Sequence, residues 1–249
     1  MYIISYDVAS KSLAVSIMQF NENWAQELAD INIYFSSAKI DSAIEMCNTA
    51  LIAVNRIKLL LETLFTPIYL DVVDLIPNKK IKETDLILRS CRLKAYLENF
   101  DKISNQFDNC RVLVEYQMGP NNKSNNVFSQ LLYHYAYCDT NYSSCYDTDK
   151  TIHKKKYSIE VVGPSLKNKI NLDKSKPLSF FINKYATSYD ANKKHSTHNM
   201  LWFLQSINKE FMLKNIKKSN YDDIADSITM TIAWCLNLTS PTVTKRRSH

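Results

Sequence analysis

Two short runs of β-branched and aromatic residues each carry an acid at one end, and this limits the folds open to the chain: Asp7 follows Ile3-Ile-Ser-Tyr, and Glu115 follows Val112-Leu-Val. Runs of this length and composition read as strands, the second as a buried central one. A carboxylate at such a place is costly to bury unless a cation or hydrogen bonds compensate it. Both positions therefore ask for a partner elsewhere in the chain.

The surrounding pattern supplies a frame for them. Residues 2–8 and 12–20 read as a hairpin, residues 69–76 as a third strand, 111–115 as a fourth and 157–163 as a fifth. Apolar residues at helical spacing predict helices over 41–65, with Asp41 or Ser42 able to cap it and Pro67 closing it, and over 83–103 and 125–138. Further helical stretches are read at 178–186 and 195–216, and a last helix from near Asp222 to about Asn237. This order predicts an α/β chain: a mixed five-stranded sheet covered by helices, forming one domain over 1–249. A helical insertion of about 21–65 would separate the second and third strands, and a basic tail of about 241–249 would close the chain.

Composition removes several function classes. Only two glycines occur, Gly119 and Gly163, so a glycine-rich cradle of the P-loop or dinucleotide kind cannot be built, and no nucleotide cofactor is expected. The six cysteines are scattered without C-x-x-C spacing, which argues for reduced thiols rather than a zinc site. There is no signal-peptide pattern and no apolar run of membrane-spanning length, so a cytoplasmic protein without a membrane partner is expected. The net charge of +6 is unevenly spread. Residues 150–218 hold fifteen lysines against four acids, about +11, which suits a polyanion such as DNA, although lysine runs are also common solvated surface.

A third group of acids opens the last helix: Asp222-Asp223-Ile-Ala-Asp226. Asp223 and Asp226 are spaced i, i+3 and share a face, with Ile224, Ala225, Ile228 and Ile232 available for packing. Asp222 is i, i+4 from Asp226, so spacing alone allows either Asp222 or Asp223 to act with it, and Asp222 also reads as the N-cap. Each acid alone has an ordinary explanation as a turn residue, an ion-pair partner or a match to the helix dipole. Together, four carboxylates at one end of a sheet suit hard divalent cations, Mg²⁺ or Mn²⁺. Two such ions about 4 Å apart hydrolyse phosphodiesters. Without metal the carboxylates should repel one another and share raised, coupled pKa values.

Three segments together resemble the poxvirus-type and fungal mitochondrial Holliday junction resolvases, relatives of the bacterial RuvC enzymes with an RNase H-like fold. They are Ser5-Tyr-Asp7-Val-Ala-Ser-Lys11-Ser-Leu-Ala14, Val112-Leu-Val-Glu115-Tyr-Gln117 and Asp222-Asp223-Ile-Ala-Asp226-Ser227. The resemblance implies Asp7, Glu115, Asp223 and Asp226 as catalytic metal ligands, with Asp223 preferred over Asp222. It also implies that Lys193 or Lys194, ahead of the penultimate helix, approaches the scissile phosphate. Lys11, Gln117, Lys154, Lys155, Lys156, Lys193 and Lys194 are the side chains expected to meet DNA. His195 and His198, spaced i, i+3, lack a third ligand and read as surface histidines. Two departures stand out: Ala9 replaces a glycine found in many relatives, so the turn beside the first acid is expected to differ, and residues 21–65 exceed the family core.

The resemblance further implies a homodimer that nicks two opposed strands of a four-way junction, because a two-fold enzyme suits a two-fold substrate. If the chain is viral, the infected-cell cytoplasm is its expected compartment. Two other functions are compatible with the same residues: an RNase H or other nuclease of this fold, marked by a preference for RNA–DNA hybrids, and a non-catalytic junction-binding protein, marked by tight binding without turnover.

Overall fold

The structure, a computed structural model, describes residues 1–9, 11–24, 55, 57–76, 86–116, 124–139, 157–173 and 175–238. Five strands form one sheet: β1 (Tyr2–Val8), β2 (Ser12–Phe20), β3 (Phe65–Asp74), β4 (Cys110–Glu115) and β5 (Ser158–Val162), in the order β3-β2-β1-β4-β5. β2 runs antiparallel to both β1 and β3, whereas β4 is parallel to β1 and β5 is parallel to β4. The helices are α1 (Leu86–Ser104), α2 (Ser124–Asp139), α3 (Leu178–Ile182), α4 (Ser188–Ser206) and α5 (Tyr221–Leu238). The mixed five-stranded sheet covered by helices is the expected architecture.

Because side chains alternate across a strand, the sheet divides its residues between two cores. Ile4, Tyr6 and Val8 of β1 pack with Leu93, Leu97 and Phe100 of α1 and with Val127, Leu131 and Tyr135 of α2. Ile3 faces the other way, with Leu113 of β4, Met200 and Phe203 of α4, and Ile224, Ile228 and Ile232 of α5. α5 is buried on every side from Ile224 to Leu236, as a helix between a sheet and another helix must be. Its polar side chains are satisfied inside: Thr229 and Thr231 donate to the carbonyls of Ala225 and Ser227, and the Thr231 and Ser5 hydroxyls lie 2.5 Å apart.

Several boundaries differ from expectation. The third strand begins at Phe65 rather than 69 and includes Pro67, which was expected to end a helix. β3 is the edge strand, where a missing N–H leaves no ladder bond unmade, and the register shifts beside Pro67. Residues 57–64 are helical, but 41–54 and 56 of the expected long helix lie outside the described residues. The helix expected over 195–216 is α4, which starts at Ser188, where Thr187 accepts the N–H of Asp190 in an N-cap. It ends in a Schellman turn: Asn208 has φ 55°, and Lys209 N–H bonds the Leu204 carbonyl at 2.8 Å. α3 stops at Ile182 rather than 186.

Candidate functional site

The pairing of β1 with β4 sets Tyr6 opposite Val114, so Asp7 and Glu115 end these parallel strands as neighbours. Alternation turns both toward the α5 side, away from the face that holds Tyr6 and Val114. Ala14, opposite Asp7 on β2, keeps that side shallow. α5 packs across the same face and brings Asp226, only 2% exposed, down onto the two strand acids, which are 6% and 5% exposed. Three carboxylates from three elements thus meet out of water, beside the positive end of α5.

Two lysines hold this charge together. Lys167 Nζ, on the short 3-10 turn Lys167–Lys169 after β5, lies 2.5 Å from Asp226 Oδ2, 3.0 Å from Glu115 Oε1 and 3.6 Å from Asp7 Oδ1. Lys193 Nζ, on α4, lies 3.1 Å from Asp226 Oδ2, 3.4 Å from Asp223 Oδ1 and 3.8 Å from Asp222 Oδ2. Ser12, the first residue of β2, donates to Asp223 Oδ2 at 2.8 Å and fixes that carboxylate. Among the described residues five carboxylates face two ammonium groups, a formal excess of three negative charges, with Asp7, Glu115 and Asp226 buried and Asp222 and Asp223 toward the rim.

The electrostatic consequences follow from that excess. Burial pushes the Asp7 carboxyl well above the usual carboxylate range; its hydrogen bond with Glu115 and the charges of Asp226 and Glu115 add to this, and the Lys167 charge opposes it. For Lys167, burial works against the charged form, but Asp7, Asp226 and Glu115 outweigh it and raise the pKa above the ordinary lysine value. Lys193 behaves alike: burial lowers its pKa, and the charges of Asp226, Asp7, Asp223 and Asp222 raise it further than burial depresses it. Both ammonium groups stay charged at any physiological pH.

The structure therefore brings Asp7, Glu115, Asp223, Asp226 and Lys193 into one place. Lys194, the next residue, is exposed and takes no part in these ion pairs. Lys11 is exposed in the β1–β2 turn, where its carbonyl accepts the Leu75 N–H, and Ala9 closes that turn by donating to the Ser12 carbonyl. Gln117 and Lys154, Lys155 and Lys156 lie outside the described residues. Asp222 is not the N-cap: a 3-10 turn, Lys218–Asn220, runs straight into α5 at Tyr221, so Asp222 sits inside the first helical turn with its side chain 40% exposed.

Sequence reasoning missed three contributors. Lys167 is one of fifteen lysines in its segment, and nothing in its neighbours marks it. Ser12 reads only as the first residue of the second strand. Asn199 on α4 accepts the Leu172 N–H at 3.0 Å and donates to the Ile170 carbonyl at 3.2 Å, clamping the loop that follows Lys167.

The reading of His195 as a surface histidine is corrected by the same clamp, because the residue is 3% exposed beneath Phe181, with its Nε2 3.3 Å from Asn199 and 3.4 Å from Asn171. His198 is half-buried and paired with Asp173 at 2.8 Å. Burial, with a smaller push from His198, lowers the His195 pKa to about 4. The folded state thus favours neutral imidazole, and the stability this gives is present above the unfolded value of about 6.5 and lost as pH falls toward 4. Between pH 7.5 and 4.5 the wild type is expected to lose about 1–3 kcal/mol by this route, and His195→Gln to lose less. Urea midpoints at three pH values measure it; parallel profiles for the two proteins would rule it out.

Among the described residues no three acidic, histidine or cysteine side chains are arranged as they stand to hold a metal ion; these carboxylates turn to ammonium groups instead. The donor chemistry nevertheless fits a hard divalent cation, since Asp7, Glu115 and Asp226 offer only oxygen and already gather round a single positive charge.

The strand order and directions, with acids closing β1 and β4 and a third set on the last helix, make this an RNase H-like fold with a carboxylate-lined centre. No family model and no curated protein matches the chain. Among solved structures it is similar to the fowlpox virus resolvase in complex with substrate Holliday junction DNA, at 13% identity and TM-score 0.48, covering 96% of this chain and 99% of that one. It is also similar to Thermus thermophilus RuvC in complex with a Holliday junction substrate, at 10% identity and TM-score 0.47, covering 97% and 98%.

Proposed function

We propose that this chain is a DNA endonuclease that resolves four-way (Holliday) junctions by metal-dependent phosphodiester hydrolysis, acting as a homodimer that places paired symmetric nicks. The observation that carries the hydrolytic part is the meeting of Asp7, Glu115 and Asp226 within 3.6 Å of one cationic atom, with Asp223 held beside them by Ser12. Four-way substrate selection is supported by the order of the three acidic motifs and their resemblance to the junction resolvases. Mg²⁺ or Mn²⁺, two ions held among Asp7, Glu115, Asp223 and Asp226, would supply Lewis acidity at the attacking water and the leaving 3′-oxygen.

The remaining work falls to the chain's own residues. Lys193 is 18% exposed at the outer side of the acids and is placed to donate to a non-bridging phosphate oxygen as negative charge grows there. In the reaction a water oxygen bonds to phosphorus as the bond to the 3′-oxygen breaks, leaving a 5′-phosphate and a 3′-hydroxyl. Asp222, half-exposed at the rim of the site, lies 3.8 Å from that ammonium, farther than Asp226 or Asp223.

Binding rests on other lysines. Lys176, Lys184, Lys194, Lys214, Lys217 and Lys218 are all exposed, while Lys167 and Lys193 turn inward. If the exposed set neutralises phosphates, log K for a junction falls linearly with log salt, with a slope of about −0.9 for each phosphate neutralised. Affinities measured from low to physiological salt give the slope, and a value near zero removes this segment from the DNA surface. Single-turnover cleavage of a four-way junction beside an RNA–DNA hybrid tests the substrate: the junction is expected to be cut faster, and preference for the hybrid would replace the proposal with an RNase H.

A further inference from the structure

We infer that Lys167 is an internal counter-cation, a positioning residue that keeps Asp7, Glu115 and Asp226 assembled and has to withdraw before a divalent ion can occupy the point where they meet; this rests on reading the site as a metal centre. Its side chain is 14% exposed, and its ammonium lies within 3.6 Å of one oxygen from each of the three acids. Mg²⁺ takes carboxylate oxygens at about 2.0–2.1 Å, so an ion bound to the same oxygens and the Lys167 nitrogen, 2.5 Å from Asp226 Oδ2, compete for one volume as well as one charge.

Local structure makes the two lysines unequal in this exchange. Lys167 stands on a three-residue turn between β5 and a loop, and its ammonium rides on a flexible four-carbon stem. Lys193 stands in the second turn of a 19-residue helix and keeps Asp222, which is outside the proposed ligand set, as a partner when Asp226 and Asp223 turn to another cation. Among the described residues the acids paired with Lys167 are the three inner ones, so it is the charge that an incoming ion displaces. Gathering the acids and weakening their hold on an ion are then two effects of one side chain.

The competition sets the direction of the test. Lys167→Met removes the charge and keeps the stem, and calorimetric titration of the full chain with Mg²⁺ alone is expected to show binding about tenfold tighter than in the wild type, the scale set by loss of one nearby buried charge. A merely structural lysine gives the opposite sign, because scattered acids bind an ion less well. Equal or weaker binding by the variant overturns the inference and leaves the metal-centre reading standing; binding by neither protein overturns that reading and the inference with it. If Lys167→Met does not fold, the wild type still answers: Mg²⁺ is expected to raise reductive methylation of Lys167 several-fold while exposed Lys184 stays constant. Unchanged labelling of Lys167 in protein that binds Mg²⁺ overturns the inference.

Discussion

Asp223→Asn and Asp226→Asn are expected to slow single-turnover cleavage of a four-way junction roughly a thousandfold or more, the loss that follows when several kcal/mol of ion-mediated charge stabilisation disappears. Asp7→Asn and Glu115→Gln are expected to behave alike. Junction affinity should hardly change, because each substitution removes a negative charge near a polyanion and none removes a phosphate contact. The folded state should survive as well, since the site already carries more carboxylates than ammonium groups. Asp222→Asn is the control. Its side chain is 40% exposed, its ion pair among the described residues is with Lys193 at 3.8 Å, and most activity is expected to remain. Rates and affinities for the five variants decide the matter, and an inactive Asp222→Asn beside an active Asp223→Asn would sink the assignment.

Lys193→Ala is expected to lower the cleavage rate by about 10²–10³-fold, the usual cost of losing one donor aimed at developing charge, with a much smaller loss of junction affinity. Lys194→Ala is expected to cleave nearly as the wild type does and to weaken binding slightly. The contrast follows from helix geometry: adjacent residues on α4 point about 100° apart, so one ammonium reaches Asp226 at 3.1 Å while the next faces solvent. Lys193 also neutralises buried acids, so unfolding midpoints of the variant with and without Mg²⁺ separate lost stability from lost catalysis. Equal losses of rate and affinity in Lys193→Ala would make that residue a tethering charge instead.

The legible part of this molecule was the part encoded by local pattern. β1 and β2 match the expected 2–8 and 12–20 because apolar, β-branched and aromatic residues dominate both strands. The acids stood out because a carboxylate beside Ile3-Ile4 or Val112-Leu113-Val114 contradicts its surroundings. Pro67 misled because its rule depends on whether a strand lies at an edge, which is a property of the whole sheet. Thr187-Ser-Tyr-Asp190 carries a cap signal for α4 that a helix read from 195 onward leaves unused. Lys167 had no local signal at all: its place among the acids depends on the length of the turn after β5 and on the grip of Asn199 on residues 170 and 172. The separation of Lys193 from Lys194 and of Asp223 from Asp222 needed the direction of each side chain, which spacing leaves open.

The central claim is tested most directly by incubating the full chain with labelled four-way, three-way, flap and linear DNA, with and without Mg²⁺. The expected result is Mg²⁺-dependent cutting of the four-way junction, ahead of the other three, at symmetric positions on two opposed strands. Tight binding of the junction with no cutting in Mg²⁺ or Mn²⁺ would contradict it and leave a junction-binding protein whose acids are held by two lysines.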